Sequence, residues 1–232
     1  MKRSRLYMVA SIPILVLMQL ALINNQSWLL NSAEIITYLI LIPGFMRRLD
    51  FSNFNLLAFL GLNMAAVLFK TFQEVFLIYY VIMLFKSVSY IFLIREAIRH
   101  TTRKSANRYM LIFFFLMIGA NTYYAHTHFQ EFESQLSSWM EFAFYSLYYL
   151  VLLVLSVVSL IYYLNSYSRK SVFHIVLVMS IVVADMLRDM AYFYLPDTSV
   201  LLLQTLLNFA GILLAFQFFA TKEKKLKLIN LV

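Results

Sequence analysis

The 232-residue chain is 62% hydrophobic and only 13% charged, with a mean hydropathy of +0.78. This composition excludes an ordinary soluble globular domain and predicts an integral membrane protein. The absence of cysteine excludes disulfides, thiolate catalysis and cysteine-ligated metal sites.

Eight apolar segments follow one another along the chain, joined by short polar connections. A helical membrane crossing needs roughly 20 apolar residues, and the segments are 6–24, 30–46, 54–70, 74–94, 109–125, 140–164, 172–195 and 199–220. We therefore expect an all-α, polytopic transmembrane helical bundle, with residues 1–232 forming a single transmembrane domain. Because the second and third segments are close to the minimum length, six or seven crossings with a re-entrant element form an alternative.

The first two segments contain the prolines that lie within apolar runs. Basic residues precede the first segment, as in a signal peptide, but no short apolar core with a small-residue cleavage site follows them. We predict a retained helix in which Pro13 causes at most a mild kink, and a further kink at Pro43-Gly44. The four glycines of the chain form no GxxxG spacing, so close glycine contacts are not expected to be the main packing device.

The basic residues are distributed asymmetrically between the two sides of this arrangement. All lysines and arginines except Lys70, Lys86 and Arg188 fall on the side that holds both termini. The positive-inside rule places that side in the cytoplasm, and we expect the inner membrane of a bacterium. The net charge of +8 follows from this topology and requires no nucleic-acid partner, whereas attraction to anionic headgroups makes membrane lipids expected partners.

Two connections carry weaker signals. His126, His128, Glu131 and Glu133 lie in the loop after the fifth segment, but their spacing alone does not define a metal site. We predict a solvated loop there, with no metal and no cofactor. The basic segment 95–108 is interpreted as a lipid-contacting loop, with docking of a protein partner as the alternative.

Aromatic residues make up 17% of the chain, and many of them lie near segment ends. Amphipathic rings favour the headgroup level, so these residues predict an interfacial belt. The alternatives are a lining for an apolar ligand or an outer aromatic surface that contacts a partner protein. His174, near the start of the seventh segment, is also interpreted as interfacial. The belt residues are Trp28, Tyr109, Tyr123, Tyr124, Trp139, Tyr162, Tyr163, Tyr192 and Tyr194.

The seventh segment carries three charges inside its apolar run. Asp185 is expected near the bilayer midplane, with Arg188 and Asp189 about one helical turn further out on the same face. Arg188 is expected to neutralise one carboxylate, and Lys86 in the fourth segment is the best candidate partner for the other.

Uncharged polar residues are expected at a comparable depth. Asn63 lies in the third segment and Asn208 in the eighth, with Gln204 one turn outward from Asn208. A charge at the bilayer centre costs on the order of 3 kcal/mol, so such groups face a bundle interior or a wet cavity. One interpretation is an ionic lock that fixes helix register. The other, which we favour, is a cavity that binds a substrate or an ion.

The stretch "FHIVLVMSIVVADMLRDMAYFYLP" followed by one more apolar segment resembles the YhhN-type lysoplasmalogenases, as do the chain length, the eight segments and the cytoplasmic termini. The resemblance implies a membrane enzyme that hydrolyses the vinyl-ether bond of lysoplasmalogens. The small residue and aspartate of the family's seventh helix are matched by Ala184-Asp185. The third helix of the family carries a Gly-Asp pair, where this chain has Gly61 and Asn63 in "FLGLNMAAVLF". The fourth helix of the family carries a histidine, where this chain has Lys86 in "FKSVSYIF".

These departures affect the chemistry that the resemblance implies. Hydration of a vinyl ether needs an acid that protonates carbon and a group that orients or deprotonates water, which suits two carboxyl groups. An asparagine cannot exchange a proton in this way. The resemblance therefore implies either that Asp185 and Asp189 are the catalytic residues or that the chain is a non-catalytic relative. The substrate-binding or cavity residues are Asn63, Lys86, Arg188, Gln204 and Asn208.

Three function classes are compatible with the sequence. The first is an ether-lipid hydrolase, and the second is a non-catalytic membrane subunit or sensor that uses the charged cluster as a structural lock. The third is a small-solute transporter, which is disfavoured because no internal repeat or pair of broken helices is visible.

The charge asymmetry generates a topology prediction. Reporter fusions should report the cytoplasm after residues 50, 102, 168 and 228, and the outer side after residues 26, 72, 135 and 197. The measurement is the activity ratio of a paired alkaline phosphatase and green fluorescent protein fusion at each position. A cytoplasmic signal after residue 135 would contradict the arrangement of eight crossings.

Overall fold

The structure is a computed structural model that describes residues 2–72, 76–101, 138–166, 168–194 and 197–223, with the isolated positions 112, 116, 119, 123 and 127. Each continuous range consists mainly of α-helix. In chain order the helices are α1 (Lys2–Ala10), α2 (Ile12–Ile23), α3 (Ser27–Phe45), α4 (Phe54–Lys70), α5 (Phe76–His100), α6 (Trp139–Ser166), α7 (Arg169–Phe193) and α8 (Thr198–Ala220).

Five stretches of the described residues are long and apolar enough to cross a membrane. They are Leu6–Ile23, Ser27–Phe45, Trp139–Ser166, Arg169–Phe193 and Thr198–Ala220. These helices confirm an all-α, multi-pass membrane architecture. The number of eight crossings and the cytoplasmic placement of the termini stay predictions.

Some predicted features fall outside the described residues. Of the fifth predicted segment, 109–125, only four isolated positions are described, and the basic loop is described only as far as Thr101. His126, His128, Glu131 and Glu133 also lie outside the described residues. The expectations for this part of the chain therefore stay predictions.

The first predicted segment forms one candidate membrane span, Leu6–Ile23, with a local interruption at Ser11, whose backbone keeps an α-helical conformation. Ser11 separates α1 from α2, and Pro13 lies in the first turn of α2. Proline has no N–H group to donate and its ring crowds the carbonyl four residues earlier, so it is tolerated at a helix start but not in a continuous interior. By contrast, Pro43 lies inside α3, which continues to Phe45.

The helices enclose a common interior. From α4 to α8 each described helix packs on the next, and α3 contacts α2, α4 and α8, which brings the first and last parts of the chain together. The outward faces are strongly apolar, since Leu20, Leu39, Leu147, Met179 and Leu203 are each roughly half exposed. An exposed aliphatic surface spread over five helices fits a hydrocarbon environment better than water.

Hydrogen-bonded caps fix the ends of the helices that carry the interior polar groups. Ser168 caps α7, because its hydroxyl accepts from the N–H of Ser171 at 3.0 Å while the Ser171 hydroxyl accepts from the N–H of Ser168 at 3.1 Å. In the loop before α4, both the hydroxyl and the N–H of Ser52 donate to Asp50, and these bonds lower the pKa of its carboxyl. The N-cap of α4 is Asn53, so Ser168 and Asn53 mark where α7 and α4 begin.

One close approach between helices depends on glycine. A Cβ atom at Gly44 in α3 would lie 2.6 Å from both Cβ and Cγ of Tyr7 in α1. Atoms so close to the Tyr7 backbone cannot turn away, so α1 would have to shift. The contact lets α1 pack on the end of α3, although the chain has few glycines.

We expect Gly44→Ala to destabilise the protein by about 1–3 kcal/mol, because the added methyl overpacks the contact with Tyr7. Gly61→Ala is the matched control, since a Cβ there meets nothing within 4 Å and removing a helical glycine is neutral or stabilising. The measurement is the unfolding midpoint of each variant in the same detergent. Equal midpoints for the two variants would show that α1 does not pack on Gly44.

Candidate functional site: a charged cluster and a central polar cavity

Asp185 is the centre of the buried charged cluster. Its side chain is 3% exposed, and both carboxylate oxygens accept hydrogen bonds. One oxygen accepts from Arg188 at 3.0 Å and contacts the Lys86 ammonium at 3.5 Å. The other accepts from the phenols of Tyr90 at 3.1 Å and Tyr148 at 2.5 Å. Helices α5, α6 and α7 are therefore joined through this single carboxylate.

Arg188 bridges Asp185 and Asp189. Its Nη1 donates to Asp185 and its Nε donates to one oxygen of Asp189 at 2.9 Å, while the phenol of Tyr149 donates to the other. The guanidinium also lies over the ring of Tyr148, 5.5 Å from its centroid. Two carboxylates and two cations balance, so the cluster carries no uncompensated charge into the bundle.

The tyrosine donors are residues that the sequence analysis did not single out for this role. Tyr145, Tyr148 and Tyr149 are all buried on α6, and their spacing puts them on one helix face. That spacing in "FYSLYYL", inside the apolar segment 140–164, was the available signal. A buried phenol needs a hydrogen-bond partner, so a row of tyrosines on one face of an apolar segment indicates a polar interior.

A further buried carboxylate, Glu34 in α3, was also missed. Glu34 is 5% exposed, contacts the ammonium of Lys70 at 3.5 Å and accepts from the side-chain amide of Asn208 at 3.1 Å. The signal was a glutamate inside the second apolar segment, where an ionisable residue is expected to be functional or paired. Asn31, one turn earlier, donates to the Lys70 carbonyl at 3.2 Å.

A small cavity of about 40 Å³ is lined by Glu34 and by Lys86, the residue that contacts Asp185. It lies among α3, α4, α5, α7 and α8, and it is large enough for a water molecule or one polar group of a ligand. The polar side chains that line it are Glu34, Tyr38, Asn63, Lys86, Tyr90 and Asn208. The cavity therefore contains a carboxylate, an ammonium and two amides within an apolar bundle.

The structure places the predicted cavity residues in two groups. Asn63, Lys86 and Asn208 line the cavity, and their role in binding a substrate stays a prediction. Arg188 does not line it but belongs to the charged cluster, and Gln204 does not line it either, its side chain contacting Thr205. The assignment of Asp185 and Asp189 as catalytic stays a prediction; neither lines the cavity, and Asp185 reaches it only through Lys86 and Tyr90.

A third polar group lies at the ends of α4, α5 and α7. Glu96 accepts from Asn55 at 2.9 Å and from Lys170 at 3.1 Å, and it lies 3.0 Å from the ring nitrogen of His100. His174, interpreted as interfacial, is instead fully buried and lies 2.9 Å from the hydroxyl of Ser159. The observed position of His174 differs from the prediction because α7 turns the face that carries His174 toward α6 and α8. Position along the apolar segment does not reveal which way a helix face points.

Within the described ranges, no three His, Cys, Asp or Glu side chains are placed to hold a metal ion. No protein-family model, curated protein or solved structure matches the chain. The resemblance to YhhN-type lysoplasmalogenases therefore stays a prediction that rests on the residues quoted above.

The geometry predicts which carboxylate Lys86 stabilises. We expect Lys86→Met to destabilise the protein by about 2–4 kcal/mol, because it removes one of the two cations from a balanced cluster. Adding Asp185→Asn should recover much of this loss, since Asp185 is the carboxylate in contact with Lys86.

Asp189→Asn is the matched comparison, because Asp189 is equally buried but bonds Arg188 and Tyr149. Its coupling energy with Lys86→Met should be clearly smaller than that of Asp185→Asn. The measurement is a pair of double-mutant cycles on unfolding in detergent. Equal coupling energies for the two carboxylates would contradict a specific contact between Lys86 and Asp185.

Proposed function

We propose that this multi-pass membrane protein binds a small polar group of a membrane-soluble ligand in the central cavity, with Lys86 as the principal donor. The observation that carries the proposal is the position of Lys86. Its ammonium lines the cavity, and among the described residues its only polar contact is the 3.5 Å contact with Asp185. An ammonium has three N–H donors, so at least two can serve a ligand.

The other cavity residues suit the same role. Glu34 can accept from a hydroxyl group, and Asn63 and Asn208 can each both donate and accept. The amide nitrogen of Asn63 bonds the carbonyl of Phe59 at 2.8 Å, which holds the side chain in place. Such a set fits an uncharged group that both donates and accepts, such as a hydroxyl or an ether oxygen with a neighbouring hydroxyl.

The surroundings of the cavity suit a ligand with an apolar chain. The remaining lining is apolar, with Phe59, Val67, Ile181 and Leu207 among its members. Helix α3 packs more sparsely on α4 and α8 than α7 packs on α8, which favours entry from the bilayer between loosely packed helices. An ether lysolipid has these properties, and the resemblance to lysoplasmalogenases favours the same class.

One observation favours the non-catalytic subunit or sensor as the second candidate. All four carboxylate oxygens of Asp185 and Asp189 accept hydrogen bonds inside the protein, and neither residue lines the cavity. A general acid must reach the atom that it protonates. Hydrolysis through these two residues would therefore require the cluster to open, whereas Glu34 is the carboxyl group that lines the cavity.

The test measures lipid binding and turnover on one preparation. Purified protein in detergent is titrated with a lysoplasmalogen and with the matching acyl lysolipid, and native mass spectrometry counts bound lipid while an aldehyde assay follows turnover. We expect saturable binding that Asn63→Leu weakens by about tenfold, because one hydrogen-bonding group leaves the cavity and the added apolar side chain occupies it. Gln204→Leu should leave binding unchanged, since Gln204 lies outside both the cavity and the charged cluster.

Three outcomes separate the candidates. Aldehyde release that Glu34→Gln abolishes would make the cavity a catalytic site. Release that Asp185→Asn abolishes without loss of stability would support the assignment of the aspartates as catalytic. Absence of both binding and turnover, together with marked destabilisation by Asp185→Asn, would reject the ligand site and leave the structural lock.

A further inference from the structure

A second and much larger cavity lies at one end of the bundle, where α1 and α7 begin and α3 and α8 end. Its volume is about 530 Å³, within the range of small-molecule sites in proteins. The residues that line it are Ser4, Met8, Arg47, Arg48, Arg169, Phe173, Gln217, Ala220, Thr221 and Lys222. We call this cavity the basic groove.

The groove concentrates positive charge without a compensating acid. Arg47, Arg48, Arg169 and Lys222 all line it, and no lining residue is acidic. Within the part of the chain that the structure describes, none of the four forms an ion pair. The acidic residue nearest in sequence to Arg48 is Asp50, which accepts from Ser52 instead. Four unpaired cations around one cavity create a field that attracts an anion.

The arginines are partly held in place. Arg48 donates to the hydroxyl of Ser4 at 3.1 Å, and the guanidinium of Arg169 lies 5.7 Å from the ring centroid of Phe173. Planar guanidinium groups bind phosphate through paired N–H donors, so arginines fixed in this way suit a phosphate better than a diffuse counter-ion cloud.

The lining is also amphipathic. Met8, Phe173 and Ala220 supply an apolar wall next to the cations. The groove lies at helix ends, on the side that carries the excess of basic residues and that the positive-inside rule assigns to the cytoplasm. Anionic phospholipids of that leaflet present a phosphate next to an apolar chain at this depth.

We propose that the basic groove binds a phosphate group, carried by an anionic phospholipid of the adjacent leaflet or supplied as free phosphate. The site is separate from the central cavity, because the two share no lining residue. The proposal therefore does not depend on the function proposed above.

The experiment uses the full chain, delipidated and reconstituted into nanodiscs of phosphatidylcholine with or without phosphatidylglycerol. Retained phosphatidylglycerol is counted by native mass spectrometry for the unchanged protein and for the Arg48→Gln/Arg169→Gln variant. Arg95→Gln/Arg99→Gln is the matched control, because it removes the same charge from exposed positions outside the groove.

We expect the groove variant to retain phosphatidylglycerol on the order of tenfold more weakly, since each cation near a membrane surface contributes to anionic-lipid binding, and the control to retain most of its binding. Arg47→Gln is a second variant in case the double substitution impairs folding, because Arg47 is exposed and forms no ion pair with a described residue. It should weaken retention by a few-fold.

A second arm distinguishes the two sources of phosphate. Inorganic phosphate is added at constant ionic strength, and the thermal midpoint is recorded for both variants. A rise in midpoint with inorganic phosphate that the groove variant alone loses would support the site and identify free phosphate as its ligand. A response to phosphatidylglycerol alone would identify the lipid. Equal lipid retention and equal midpoints for the groove and control variants would overturn the proposal.

Discussion

Arg188 bridges the carboxylates of Asp185 and Asp189, and the interior of this protein depends on this interaction. A charge buried in an apolar bundle is tolerated only when it is paired and hydrogen-bonded, and here one guanidinium serves two carboxylates on its own helix. The remaining acceptor positions must then be filled from neighbouring helices. Tyrosines of α5 and α6 and Lys86 of α5 fill them, which fixes how these helices lie against α7.

The same constraint explains why a polar cavity lies beside the cluster. Lys86 contacts Asp185 at 3.5 Å and also lines the cavity. Glu34 lines the same cavity and is held by Lys70 and Asn208. A structural lock and a ligand cavity therefore do not exclude each other in this protein. The choice between the two roles arises only for each residue separately. The cluster fixes the helices, and the helices position the groups that a ligand can meet.

Three polar regions divide the molecule along its helices. The charged cluster and the cavity lie within the bundle, whereas Glu96 with its partners and the basic groove both lie at helix ends. Around these regions the core is built from both aliphatic and aromatic side chains, and the outer faces of the helices expose many aliphatic ones. The two environments of the membrane account for where the polar groups lie. Hydrocarbon tolerates polar groups only when they are paired within the protein, whereas the headgroup level tolerates unpaired cations.

The sequence by itself determined the membrane class and most of the apolar helices that the structure describes, because hydropathy and spacing along one helix are local properties. It also identified Lys86 as a partner for a carboxylate of α7, since few charges exist within the apolar segments. Only the tertiary structure decided which oxygen each donor reaches, that tyrosines complete the cluster and that Glu34 and Lys86 line the same cavity. Those contacts depend on how separate helices rotate about their axes, and no local pattern in the chain fixes that rotation.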